Sequence, residues 1–455
     1  MHKTCALNLA ILAMIDSITV WAGNISTTTT EHRIDYLEKD IATLKKEISQ
    51  VQLNNQQETI NARLKKATES ISIAPYYGII SESIVNTSSY NQDFKLLQQK
   101  QLLENNAIPN GQASPPTPLI QLSGRIEGQV NAASHNNSDI NLSGAELDIA
   151  TQITPWSTGL IAINYDHTAT SPQRSNNSRL SVDRAFITLG DFNHSPLYAT
   201  IGQRYVPFGQ YHTFMVNGPL TQTLGLTKAR SLLLGLAPIQ GVYANLYAFK
   251  GDSLFNQDIN SINQWGAILG YSVNNNYLQS DFGVDWIRHI ADSQGMQATG
   301  GQGFSGFAAN SNTEILHHPV PGINLHGRIT IQPFTVIAEY TGATTEFNKN
   351  NLSYQQRGAR PSAFNIEGAY SFEVLNKPST LSIGYGQSHE ALALNLPKQR
   401  YNAALNIAWW KNTITSIGWQ HDKAYYSTDL GTGQGITVQP AKSTHTIISK
   451  LGIYF

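Results

Sequence analysis

From residue 119 to the C-terminus the chain alternates between apolar and polar residues with a period of two. In 120–132 one face reads Ile120, Leu122, Gly124, Ile126, Gly128, Val130 and Ala132. The other reads Gln121, Ser123, Arg125, Glu127, Gln129 and Asn131. The same pattern returns at 320–333 (Ile323, Leu325, Gly327, Ile329, Ile331 against Asn324, His326, Arg328, Thr330) and at 364–372 (Phe364, Ile366, Gly368, Tyr370, Phe372 against Asn365, Glu367, Ala369, Ser371). Side chains of a strand point alternately to its two faces, so each segment has one apolar and one polar side. A soluble sandwich would alternate too; the connections separate the two. Sixteen strands are expected: 119–132, 142–153, 159–167, 179–190, 197–206, 229–236, 240–250, 263–273, 277–287, 322–332, 334–342, 363–372, 379–387, 399–409, 413–421 and 443–455. Segment 229–236 fits least well, because Leu232-Leu233-Leu234 does not alternate. Short connections alternate with long ones (207–228, 288–321, 343–362, 422–442), the habit of a transmembrane β-barrel with both termini at its short-turn end.

Aromatic placement agrees with that topology. Trp156, Phe334, Phe372, Trp409, Trp410 and Phe455 fall at the short-turn end. Tyr165, Tyr247, Trp286, Tyr340, Tyr385, Tyr401 and Trp419 fall towards the long-loop end, giving two belts around an aliphatic band. The last strand carries Leu451, Ile453 and Phe455 in alternation, similar to the C-terminal assembly signal of bacterial outer-membrane barrels. Residues 1–22 read as a secretory signal with cleavage after Ala22, and Cys5, the single cysteine, lies within it. The expected mature chain has no disulfide, thiol nucleophile or cysteine-ligated metal.

Residues 31–69 form the expected periplasmic coiled coil, with Ile34, Ile41 and Ile48 at one seam position and Leu37, Leu44 and Val51 at the other. Three heptads of this kind point to a homo-oligomer, dimer or trimer. Residues 70–118 read as a partly ordered linker with a short helix-like run at 94–103, ending at Pro115-Pro116. Being about half coiled coil, the region before the barrel is not expected to form a globular plug.

Charge excludes some functions and leaves others. Lys plus Arg number 30 and Asp plus Glu 31, so nothing draws the chain to nucleic acid. No nucleophile elbow, zinc-type histidine pair or phosphate loop is present, and neither an enzyme nor a bound cofactor or metal is expected. His317-His318 reads as solvated loop. The polar faces project charges of both signs into the lumen: Arg125, Glu127, Glu146, Asp148, Arg184, Arg204, Asp281, Asp285, Arg328, Glu339, Glu367 and Arg400, with Asp166 and Lys450. Such charges either pair with each other or meet passing solutes. The 207–228 connection, weakly charged and carrying Phe214, Met215 and Val216, is expected to fold inwards and narrow the pore.

Three runs carry a more specific likeness: Leu142-Ser143-Gly144-Ala145-Glu146-Leu147-Asp148, Val182-Asp183-Arg184-Ala185-Phe186, and Ile201-Gly202-Gln203-Arg204-Tyr205-Val206-Pro207-Phe208-Gly209-Gln210-Tyr211. They resemble the LbtU-type siderophore porin family of bacterial outer membranes, typified by the legiobactin receptor. That resemblance implies uptake of a ferric siderophore across the outer membrane. Since 337 residues with long loops cannot supply 22 spans of about 10 residues each, uptake would proceed without the usual plugged receptor. A general or sugar- or peptide-selective porin, or a coiled-coil tether between cell wall and outer membrane, are the competing readings.

Overall fold

The computed structural model describes residues 118–134, 138–166, 179–237, 241–253, 261–275, 277–297, 318–410, 412–433 and 436–455. It also describes Lys45, Asp93, Leu96, Leu97, Gln101, Leu316 and the backbone of two short strands, β1 (Tyr77–Ile80) and β2 (Ser83–Asn86). The expected signal peptide lies outside the described residues. So does the coiled coil, apart from Lys45, which is helical. The chain falls into two units, Met1–Lys65 and Lys66–Phe455, and all the strands belong to the second.

The framework of that unit is one closed antiparallel barrel of sixteen strands. The first half is β3 (Leu119–Ala133), β4 (Asp139–Thr154), β5 (Ser157–Asp166), β6 (Arg179–Gly190), β7 (Leu197–Tyr205), β8 (Lys228–Leu236), β9 (Gly241–Phe249) and β10 (Gln264–Asn274). Then come β11 (Gln279–Ile287), β12 (Gly322–Ile331), β13 (Phe334–Ala343), β16 (Ser362–Val374), β17 (Lys377–His389), β18 (Gln399–Trp410), β19 (Thr413–Lys423) and β22 (Thr444–Tyr454). Each of the sixteen expected segments coincides with one of these strands to within a few residues. Sequential neighbours pair throughout, and β22 closes on β3 with Leu451 opposite Gly128 and Ile453 opposite Ile126. The seam is extended by a reciprocal backbone pair between Gly124 and Phe455. Closure leaves no open edge in the ring.

Alternation places the apolar residues outside. Ile126 is 52% exposed and its neighbour Glu127 only 3%. Ile201, Leu269, Ile383 and Leu451 continue the exposed aliphatic surface around the ring. Such an exterior is destabilising in water and favourable in hydrocarbon. Among the described residues no helix is long and apolar enough to cross a membrane. One expected belt residue belongs elsewhere: Tyr247 points inward and is buried, stacked at 6.3 Å with Phe249. Its odd-numbered neighbours Asn245 and Phe249 share that inner face, so strand parity overrides the aromatic's preference for the interface.

Two features lie in the long connections. A four-stranded sheet joins β14 (Leu352–Tyr354), β15 (Arg357–Gly358), β20 (Gly431–Gly433) and β21 (Ile436–Val438), in the order β15-β14-β20-β21. Strands this short are decided by tertiary contacts rather than by period, so alternation does not show them. Inside the ring, the β7–β8 connection is folded inwards around a short helix, α1 (Leu220–Gly225). Residues from the expected linker also reach the barrel: Asp93, Leu96, Leu97 and Gln101 are helical, and the first three are buried.

Candidate functional site: a narrowed barrel interior

The β7–β8 connection begins at Val206, whose N–H donates to the Thr227 carbonyl at 2.9 Å and ties the loop's base. Gly209 has φ +87°, and a Cβ there would collide with the Tyr211 ring, so the turn admits only glycine. From that turn the chain crosses to the far wall. The Gly209 N–H donates to Asp285 of β11 at 2.7 Å. Gln210 and Tyr211 N–H groups donate to the two carboxylate oxygens of Glu339 on β13, at 2.8 and 3.0 Å. Thr221 of α1 adds a third donor to Glu339 at 3.0 Å. Glu367 on β16 takes the Phe214 N–H at 2.9 Å and the Thr213 hydroxyl at 2.6 Å.

The crossing continues to β18 and β19. Asn406 donates to the Phe214 carbonyl at 2.9 Å, and Asn217 donates to Gln420 at 3.0 Å. Phe214 packs with Ile337 and Ala369, and Met215 and Val216 pack with Ala404 and Ile448. The last contact is on β22, so the loop spans from β7 to strands on the opposite side of the ring. Irregular backbone can lie at this depth because wall side chains satisfy its amides. Three of the expected lumen carboxylates, Asp285, Glu339 and Glu367, are thereby committed to holding the loop. Their inward direction is legible from strand parity. Their acceptor role is not, because it depends on where a distant loop comes to rest.

The remaining charges form pairs on the inner wall. On the side of β3 to β6, Arg125 reaches Glu127 at 3.3 Å and Glu146 at 3.2 Å. Arg184 pairs with Glu146, lies 3.7 Å from Asp148, and meets Asp183 at 3.0 Å. Lys450 approaches Glu127 at 3.5 Å, and the Tyr454 hydroxyl donates to the same carboxylate at 2.7 Å. Asp183 escapes the period-two reading. The β5–β6 register shifts between Ala162 and Ile163, where a bulge turns two successive residues, Asp183 and Arg184, into the interior. Lys228 then reaches Asp183 at 2.9 Å. Arg204 pairs with Asp93, and Arg400 holds Asp422 with two contacts at 2.8 and 3.0 Å.

Asp281 and Arg328 face a narrow recess lined also by Gln210, His212, His326 and Glu339. His326 sits 3.6 Å from Asp281 and 3.4 Å from Asp285. All twelve lumen residues named from the sequence therefore point inward, and Leu451, Ile453 and Phe455 point outward. Asp166 is in β5, and of its side chain nothing is described. Among the described residues no cluster has the donor set of a metal site.

The three family-like runs come together in space. Glu146 and Asp148 of the first meet Arg184 of the second. The third supplies Arg204, the loop's glycine turn and Tyr211, whose hydroxyl donates to the Phe208 carbonyl. One wall patch and the start of the crossing loop are thus built from the segments that carry the resemblance.

No protein-family model matches the chain. Among solved structures, an anion-selective porin from Comamonas acidovorans aligns with TM-score 0.48 at 10% identity, covering 74% of this chain and 99% of that one. A loop-deletion variant of OmpT, an outer membrane protein of Vibrio cholerae, aligns with TM-score 0.47 at 11% identity, covering 75% of this chain and 100% of that one. Sequence relatives reach further. A UPF0422 protein of Legionella pneumophila is 35% identical over 398 residues, covering 82% of this chain and 74% of the relative. Another, from Coxiella burnetii, is 33% identical over 443 residues, covering 93% of this chain and 92% of its own length. At that identity and coverage, the chain belongs to the UPF0422 family.

Proposed function

We propose that this protein is an outer-membrane porin that takes up one class of bulky polar solute, a ferric siderophore, without an energised-receptor plug domain. The observation that carries the porin reading is the crossing loop: an apolar-skinned ring whose interior is narrowed by a segment tied to five strands of the far wall. A purely structural anchor has no use for hydrogen-bonded carboxylates arranged to hold a loop across its centre. The outer face supports residence in lipid, and the even strand count supports a periplasmic, short-turn side for the start of the first barrel strand.

The narrowing favours selectivity over sieving. Much of the interior is filled, and the side chains left around the recess (Asp281, His326, Arg328, His212) carry both signs of charge and several donors. A hydroxamate, catecholate or carboxylate iron chelate offers oxygen-rich surfaces that such a lining can exchange for water. The class of solute itself rests on the resemblance of the three runs, which supply the Arg184 patch and the loop's first turn.

Radiolabelled ferric-siderophore uptake in a deletion strain, with and without the restored gene, tests this directly. Uptake that depends on the gene supports the proposal. Unchanged iron uptake together with rapid swelling of reconstituted liposomes in neutral sugars would replace it with a general or sugar-selective porin. Retention on peptidoglycan without any solute flux would favour the tether.

A further inference from the structure

Part of the inner wall is apolar where a water-lined wall would be polar. Ala150, Leu160, Phe186, Tyr198 and Leu233, on β4 to β8, all face inward, and Leu233 is 0% exposed. This also explains why Leu232-Leu233-Leu234 breaks the alternation: the middle leucine has apolar company inside the ring. Part of that company comes from outside the wall. Leu96 packs with Ala150, Leu160 and Phe186, while Leu97 belongs to the cluster that holds Tyr198 and Leu233. The Leu97 Cδ1 lies 3.2 Å from where a Cβ on Gly190 would stand.

Asp93, Leu96, Leu97 and Gln101 are all helical, and steps of three, four and eight put them on one helix face. That face is fastened at both ends. The Asp93 carboxylate accepts from the Thr200 hydroxyl at 2.9 Å and pairs with Arg204, with Asp93 1% and Arg204 3% exposed. Gln101 Nε2 donates to the Phe192 carbonyl at 2.9 Å, in the short turn between β6 and β7. The helix face therefore runs along the wall from the ring's middle to its short-turn end. Arg204 is also the last inward residue before the crossing loop begins at Val206, so one side chain sits at the root of both obstructions.

We infer that this helix face is a removable stopper, which closes the conduit at rest by filling the β4–β8 side of the interior while the crossing loop fills the other. Its hold is noncovalent: two leucines, one buried ion pair and two hydrogen bonds, all made by a segment that precedes the barrel in the chain. Breaking a buried ion pair leaves an uncompensated charge in each half, so the attached state is held sharply and is released as a unit. The inference rests on the porin reading above, and goes beyond it in assigning a resting state and a part that moves.

The test uses the full chain in planar bilayers, in a Cys5→Ser background that removes its one native cysteine. In an Asp93→Cys/Thr200→Cys pair, a short reducible thiol cross-linker should fix the helix to the wall and cut open-channel current at least tenfold. Reduction should restore it. Leu96→Asn/Leu97→Asn should release the helix and raise mean conductance several-fold over the parent. Unchanged migration before boiling on a detergent gel identifies variants that assemble; should the leucine pair fail to do so, the cross-linked pair decides alone. Equal currents from cross-linked and reduced protein would overturn the stopper while leaving a conducting porin in place. No current from any form, cross-linked, reduced or released, would overturn the conduit and the stopper with it.

Discussion

A buried carboxylate that accepts several hydrogen bonds at once is hard to replace, and Glu339 accepts four: from the Gln210 and Tyr211 amides, the Thr221 hydroxyl and the Asn324 side chain. Glu339→Ala takes the carboxylate away from two buried backbone N–H groups, at about 1–3 kcal/mol each. The urea midpoint of the folded protein should fall accordingly, single-channel records should become noisier, and Glu339→Gln should recover part of both. A matched pair tests the two faces of the wall. Ile126→Arg puts a cation on the lipid side of β3 and should cost about 2–4 kcal/mol of folding stability in liposomes. Arg328→Glu, beside the inner recess, should cost little by that measure and instead alter ion selectivity. Equal damage from both would mean that the faces are assigned backwards or that the domain is a soluble sandwich. Parity alone makes Arg125, Glu146, Arg184 and Glu339 legible as inward residues. It cannot show Asp183, because a one-residue bulge shifts the count locally, nor that Asp93 from the linker completes Arg204.

At the scale of elements, the strands are readable because nearly all carry their own two-residue period, β8 with its Leu232-Leu233-Leu234 being the exception, and the loops are not because their order comes from contacts far away in the chain. The turn after β11 is one such loop. His289 is 0% exposed, and its Nδ1 accepts the Val320 N–H at 3.0 Å; burial pushes the imidazole down from 6.5 to about 4. The folded form is thus neutral, and between pH 6.5 and 4 the opened loop binds more protons than the closed one. Stability of this turn should therefore be complete above pH 6.5 and should fall as pH drops towards 4, by about 3 kcal/mol in all. Protection factors of the Val320 and Ile290 amides, measured by hydrogen exchange across that window, check it. His289→Asn, which keeps an acceptor and cannot titrate, should abolish the decline. Asp292, in the same turn, is raised by burial and works in the opposite sense, so the variant rather than the wild-type curve isolates the histidine.

For the whole molecule, closure is the decisive event. Phe455 completes the β22–β3 seam through its backbone pair with Gly124, and its side chain lies outside the ring. Deleting Phe455 should reduce insertion, read as loss of the fast-migrating unboiled form on a detergent gel. Oligomerisation is a separate matter. Ile41→Asp/Leu44→Asp should leave barrel insertion intact and sharply lower cross-linking through a cysteine introduced near residue 30, because unpaired charges cannot be desolvated in a three-heptad seam. Equal cross-linking would mean that the expected coiled coil is not an oligomerisation element, and a role as a spacer to the cell wall or to a periplasmic partner would move ahead. The seat of the Asp93 helix face is built from β4 to β8, strands that come early in the barrel, whereas the ring is completed by its first and last strands. None of the contacts that hold the Asp93 helix face involves the β22–β3 seam, so its seat does not depend on the last pairing of the ring.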